Sequence, residues 1–257
     1  MATAKNKQQI YTACVLDTET GGLDASKCAI TQLSCQMVRL DTYEIIGVFD
    51  EYIKPYPKGD FHINTNKTLR KKREIEKEES AYFEYNPQAL KVTGLSVDFL
   101  NKNGKDINEV ADSIISFIKK CTLGTSKVYK PILVGHNIPF DLNFLFHFFI
   151  YTGKMKEFSD VFNGTEDIFG NFHPQMIDTM TLSRMAFADD PEVTTYKLGS
   201  LTEIMGIELV DAHSSMADVE ATNGLFTIFS NRMRCGSVGD DSGLIKQAEK
   251  TRVHFKI

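Results

Sequence analysis

Two short apolar runs in this chain each lead into a segment that carries metal-binding or proton-transfer side chains. Tyr11–Leu16 runs without a charge into Asp17, and Pro131–Val134 runs into Gly135-His-Asn-Ile-Pro-Phe-Asp141. Short apolar segments of this kind read as buried strands, and in open α/β sheets function gathers at the carboxyl ends of strands. Between and after them lie helical patterns. Ile107–Cys121 has apolar residues at 107, 110, 111, 114, 115, 118 and 121, which is one face of a helix. Asn86-Pro87 opens a short helix that Gly94 closes. Pro139–Tyr151, Asp178–Phe187, Leu198–Met205 and Ala217–Met233 read as further helices, and Ile30–Leu40 and Tyr43–Ile53 as two antiparallel strands following the first. Ser159–Gln175, rich in Gly, Asn and Asp, reads as a loop. The expected fold is α/β, one domain over residues 11–235, with a flexible arm at 1–10 and a C-terminal tail at 236–257.

The 257 residues, 42% of them hydrophobic, are enough for one sizeable core. No apolar run approaches the ~20 residues of a membrane span, and the polar start lacks the apolar stretch of a signal peptide. The expected compartment is the cytoplasm. The five cysteines form no Cys-x-x-Cys pair, so neither a disulfide framework nor a zinc site is expected. The net charge of −5 argues against a protein that coats nucleic acid through basic residues. It leaves open an enzyme whose carboxylates meet phosphates through divalent cations.

Residues 58–85 depart from the pattern, with six basic and four acidic residues between Lys67 and Glu79. The plain reading is a solvated excursion. The sharper one is a flap touching nucleic-acid backbone through Lys67, Arg70, Lys71, Lys72 and Arg73.

The candidate chemistry lies in three segments: Val15-Leu-Asp-Thr-Glu-Thr-Gly-Gly-Leu23, Val134-Gly-His-Asn-Ile-Pro-Phe-Asp-Leu142 and His213-Ser-Ser-Met-Ala-Asp218. Asp17 and Glu19, two apart at a strand end, share one face. Two carboxylates there repel unless a cation lies between them. Asp141 falls in the first turns of a helix for which Asn137 suits the cap. His213 sits in the loop before a helix that holds Asp218. A loop histidine can swing toward an attacking water while the helix fixes the carboxylate. Asp178 and Asp211 read as capping or loop residues. His136 could orient substrate, though a histidine so placed is more often packed or capping. Taken singly, Asp-x-Glu is a common pair, and Asp141 could merely complement a helix dipole. Four carboxylates and a histidine in order are what a two-metal phosphodiester hydrolase needs.

Together the three segments resemble the motifs of the DnaQ-like family, the DEDD 3′→5′ exonucleases of the ribonuclease H-like fold. The His-x-x-x-x-Asp form resembles the DEDDh subgroup, and Asp-Thr-Glu-Thr-Gly-Gly-Leu resembles the proofreading epsilon subunits of bacterial DNA polymerase III. The likeness runs from about residue 11 to 233 and takes in Tyr85–Leu95 and Tyr196–Gly206. It implies a mixed five-stranded sheet flanked by helices, with the charged stretch as an insertion after the third strand. It implies that Asp17, Glu19 and Asp218 hold two divalent ions, Mg²⁺ or Mn²⁺, that Asp141 supports the second, and that His213 is the general base. Thr18, Thr20, Gly21 and Leu23 would line the terminal-nucleotide pocket through backbone N–H and apolar contact. Asn137 and Phe140 would hold the next nucleotide. The product would be nucleoside 5′-monophosphates released from DNA, preferably at single-stranded or frayed 3′ ends, with a DNA polymerase as a candidate partner and a bacterial or phage-infected cell as the setting. Relatives such as ribonuclease T and oligoribonuclease carry the same motifs, so an exoribonuclease is the alternative. A non-catalytic polymerase-associated binding module is a second alternative.

Overall fold

The computed structural model describes residues 10–58, 82–209 and 214–234. Most of the N-terminal arm and of the charged insertion, the tail, Asp211 and His213 lie outside them. In chain order the elements are β1 (Thr12–Thr20), β2 (Ile30–Arg39), β3 (Ile45–Tyr52), α1 (Pro87–Thr93), α2 (Val97–Asn103), α3 (Ile107–Cys121), β4 (Ile132–Gly135), α4 (Ile138–Tyr151), α5 (Met155–Val161), β5 (Gly164–Glu166), β6 (Phe172–Pro174), β7 (Met176–Asp178), α6 (Thr179–Ala186), α7 (Leu198–Met205) and α8 (Ser215–Arg234).

The main sheet has five strands in the order β3-β2-β1-β4-β7. The pairs β1/β2 and β2/β3 are antiparallel, whereas β4 joins β1, and β7 joins β4, in parallel. This is the mixed five-stranded α/β sheet that the motifs imply. The charged segment falls between β3 and α1 in the chain.

Alternation along the strands sorts the core into two layers. Cys14 and Leu16 of β1, with Leu33, Cys35 and Met37 of β2, face Val110, Ile114 and Ile118 of α3 and the aromatic side of α4. Ala13, Val15 and Val38 face Val219 and Phe226 of α8. α4 is apolar nearly all round because it lies inside, with Phe144, Phe148 and Phe149 each at most 2% exposed. Phe158 of α5 is the hub of that layer, its ring 4.8 Å from Phe149 and 5.2 Å from Phe162. Truncation of such a ring leaves a cavity that close packing cannot refill. Phe158→Ala is therefore expected to destabilise the protein by about 3–5 kcal/mol, read as a lower urea midpoint at unchanged slope.

Several elements differ from the sequence expectation. β1 does not end at Asp17. It continues through Thr20 because its polar residues still pair with β2, Asp17 opposite Ser34 and Glu19 opposite Gln32. The segment read as a loop from 159 to 175 holds the end of α5 and the β5/β6 hairpin. Asp167 closes the tip of that hairpin, accepting backbone N–H groups from Phe169 and Asn171 at 2.9 Å each. Asn86 caps α1 as expected, accepting from the Gln88 N–H, and Gly94 ends that helix at φ 70°. Asn137 occupies the cap position of α4 as expected, but its side chain makes no capping hydrogen bond. It is left-handed at φ 64°, and its own N–H is donated to Asp178 Oδ1 at 2.8 Å. Among the described residues, no helix is long and apolar enough to cross a membrane.

Candidate active site

Three of the acidic residues converge where β1 ends. Because β1 runs on past Asp17, Asp17 and Glu19 project from the same face, the face that α8 covers. Asp218 lies in the first turn of α8 and meets them there. One carboxylate oxygen from each of Asp17, Glu19 and Asp218 lies within 4.8 Å of the other two, and all three residues are partly buried.

Asp141 arrives from the other layer, in the first turn of α4, and is 4% exposed. Thr18 holds it. The Thr18 N–H and hydroxyl both donate to Asp141 Oδ1, at 2.9 and 2.7 Å. Thr18 alternates to the α4 side of the strand while Asp17 and Glu19 face α8. The single segment Asp17-Thr-Glu19 thus reaches both layers. The Thr18 N–H, expected to face a nucleotide, is given to Asp141 instead.

The electrostatics follow from this crowding. Burial pushes the Asp17 carboxyl well above its ordinary range, and the charges of Asp141, Glu19 and Asp218 push it further. The Ser215 hydroxyl acts the other way. Burial, then Asp218 and Asp141, raise Glu19 to about 8. Burial raises Asp141 as well, offset by the two Thr18 donors. Carboxylates so placed resist ionising together unless a cation neutralises them. Among the described residues the donor set is all carboxylate oxygen, which suits a hard divalent ion of the Mg²⁺ or Mn²⁺ kind.

Around this centre, Thr20 is buried and its hydroxyl donates to Gly22 O at 2.7 Å. Gly21 lies against the segment before α1, and a Cβ there would stand 2.5 Å from Glu84 O, so only glycine fits. Leu23 is 87% exposed and open to a ligand. Asn137 is exposed at the end of β4, and the ring of Phe140 lies 5.0 Å from that of Phe144. His136 is committed to the fold. Its Nε2 meets Tyr196 O at 2.8 Å and its Nδ1 meets Thr179 Oγ1 at 2.9 Å. The carbonyl can only accept, so Nε2 carries the proton, and burial lowers the tendency of the ring to gain a second one. Asp178 caps α6 as expected, accepting the Met180 N–H.

Sequence reasoning passed over Ser215. Its hydroxyl donates to Asp17 O at 2.8 Å, tying the start of α8 to β1. Nothing in a Ser-Ser pair before a helix marks such a role.

Residues 75–226 match the family model described as "Exonuclease". The chain belongs to this exonuclease family. By class it is a 3′→5′ exonuclease, a phosphodiester hydrolase acting on nucleic acid, of the DEDDh kind within the ribonuclease H-like superfamily. The ribonuclease T of Actinobacillus pleuropneumoniae serotype 5b (strain L20) is 24% identical to it over 231 residues, covering 90% of this chain and 88% of that protein. The ribonuclease T of Haemophilus influenzae (strain PittEE) is 26% identical over 233 residues, covering 90% and 84%. Among solved structures, E. coli exonuclease I in complex with a dT13 oligonucleotide superposes with a TM-score of 0.55 at 20% identity. That match covers 88% of this chain and 42% of the exonuclease I chain, so this chain spans under half the length of that neighbour. A product-bound exonuclease I gives a TM-score of 0.57 at 21% identity over 86% of this chain. The likeness to exonuclease I is one of fold.

Proposed function

We propose that this chain, through a domain spanning residues 11–235, removes nucleoside 5′-monophosphates from single-stranded or frayed 3′ ends of DNA with the help of two divalent ions, Mg²⁺ or Mn²⁺. The observation that carries the reading is the convergence of Asp17, Glu19 and Asp218, with Asp141 held beside them by Thr18. In this reading Asp17, Glu19 and Asp218 hold metal directly and Asp141 supports the second ion. Divalent cations bound there would polarise the scissile phosphate and ease ionisation of the attacking water. His213, five positions before Asp218 in the chain, takes the proton from that water as general base. The oxygen then attacks phosphorus in line, the 3′ oxygen departs, and a 5′-monophosphate is freed. Leu23 and the tight turn at Gly21 form the wall of the terminal-nucleotide pocket together with Thr20. Asn137 and Phe140 flank the next nucleotide. The setting is proofreading, repair or DNA turnover in a bacterial or phage-infected cell, with a DNA polymerase as partner.

A second reading exchanges DNA for RNA. The relatives that align over nearly their whole length are named ribonuclease T, and that favours it. Sugar discrimination rests on contacts to the 2′ position. The test is a gel assay of 5′-labelled DNA and RNA oligomers of one sequence, with Mg²⁺, Mn²⁺ or EDTA. A metal-dependent ladder shortening from the 3′ end, faster on DNA, is expected. A faster ladder on RNA would replace the first reading with the second. No ladder from folded protein would overturn both.

A further inference from the structure

The interface between β2 and α8 is polar where a core is ordinarily apolar. Gln32, Ser34 and Gln36 line one face of β2, at most 3% exposed, and Ser215 and Asn223 of α8 are buried against it. The Ser215 N–H points to Gln32 Oε1 at 3.4 Å, while its hydroxyl reaches Asp17 O at 2.8 Å. Further along, Asn223 Nδ2 donates to Gln36 Oε1 at 2.9 Å. The spacing of the two anchors matches. From Ser215 to Asn223 a helix rises about 12 Å, and from Gln32 to Gln36 a strand rises about 13–14 Å. A slip of α8 by one turn, about 5.4 Å, would break both anchors at once and strand buried donors and acceptors. The helix therefore has one register on the sheet.

The orientation of Gln32 is fixed from its far side. Asp50 of β3 accepts from Gln32 Nε2 at 2.7 Å and from the Ser34 hydroxyl at 2.7 Å. A carboxylate only accepts, so the amide nitrogen of Gln32 must face Asp50 and its oxygen must face Ser215. Gln32 also stands directly opposite Glu19 in the β1/β2 pair. The relay Asp50–Gln32–Ser215 thus ends at the main chain of Asp17 and at the first turn of the helix that carries Asp218.

We propose that Ser215 and Gln32 are positioning residues for the metal-binding carboxylates, setting where Asp218 stands relative to Asp17 and Glu19. This rests on the reading that those three residues hold metal. Setting register is the best-attested use of buried polar groups, and here the register decides the separation of three carboxylates across two elements. Ser215→Ala removes the hydroxyl that ties α8 to β1. Gln32→Leu removes the acceptor for the Ser215 N–H while keeping bulk.

The test is titration calorimetry of Mn²⁺ into the metal-free full-length chain, beside the Mn²⁺ dependence of the cleavage rate. Each variant is expected to bind Mn²⁺ about five- to tenfold more weakly, the worth of one well-placed hydrogen bond. The half-saturating Mn²⁺ concentration for cleavage should rise in step, with a much smaller change in kcat at saturating metal. A merely structural role would lower the melting temperature in EDTA and leave Mn²⁺ affinity alone. Unchanged affinity in either folded variant overturns the proposal. Asp17→Asn serves as the control: if it binds Mn²⁺ as the parent does, the site reading itself fails, whatever Ser215 does.

Discussion

Asp17→Asn is expected to slow mononucleotide release by on the order of 10³-fold and, in EDTA at pH 8, to raise the melting temperature. The two effects have one cause. Asp17 sits where burial and the charges of Asp141, Glu19 and Asp218 all oppose its ionisation. A neutral amide of the same shape removes that repulsion from the folded protein. It also removes an anionic oxygen from a cluster in which three residues bring ligand atoms within 4.8 Å of one another. Gain of stability with loss of activity separates a functional cluster from an incidental one, because an ordinary surface carboxylate changes neither by much. The rate is read from a 5′-labelled oligomer on a gel and the stability from a thermal melt. A variant that cuts at the parental rate would sink the assignment of Asp17.

The second large effect is a coupling between pH and metal. Glu19 has an ordinary value of 4.5 and is raised to about 8 in the fold, chiefly by burial. A raised carboxyl favours the protonated form when folded, so its contribution to stability is fully present below pH 4.5 and fades as pH climbs through 8. Asp17 and Asp141 are raised too and add to the same trend. The metal-free protein should therefore lose stability from pH 5.5 to pH 8.5. On the proposed reading a divalent ion binds the ionised cluster and not the unfolded chain, which would add about 2.7 kcal/mol at a hundredfold excess over Kd. For a chain of this size that is a rise of about 5–10 °C. The gap in melting temperature between Mn²⁺ and EDTA should be wide at pH 8.5 and narrow at pH 5.5, where protons compete for the same oxygens. A gap independent of pH would mean that the ion stabilises the protein elsewhere.

How far the sequence could be read depended on whether local periodicity or tertiary pairing decided each element. Ile107–Cys121 has the same bounds in the structure because seven apolar positions recur at helical spacing. The Asn86-Pro87 start and Gly94 stop of α1 also hold, since caps are local chemistry. The tail of β1 was legible only in part, as a strand end at which Asp17 and Glu19 share a face. Asp17-Thr-Glu-Thr20 has the polarity of a loop, and only its pairing with β2 makes it strand. The β5/β6 hairpin was hidden in a Gly- and Asn-bearing stretch for the same reason. Asn137 stands at the cap position that its place before Pro139 suggested, but its side chain makes no capping bond, and its N–H is given to distant Asp178, a contact that local sequence does not show. Asp17, Glu19, Asp141 and Asp218 were legible as candidates by residue type and order. The supports were not. Thr18 looks like a residue between two acids, and Ser215 and Gln32 are commonplace until the fold sets them side by side.

The tie between Ser215 and Asp17 joins residues 198 positions apart in the chain. During synthesis the strand bearing Asp17 and Glu19 leaves the ribosome long before the helix bearing Asp218. A nascent chain that has already built β1 through β7 has a sheet to stand on, yet its two leading carboxylates lack their third companion. On the proposed reading, the carboxylate set is complete only once α8 has been made. On that reading, a product broken before α8 lacks Asp218 and is expected to leave the nucleic acid around it uncut.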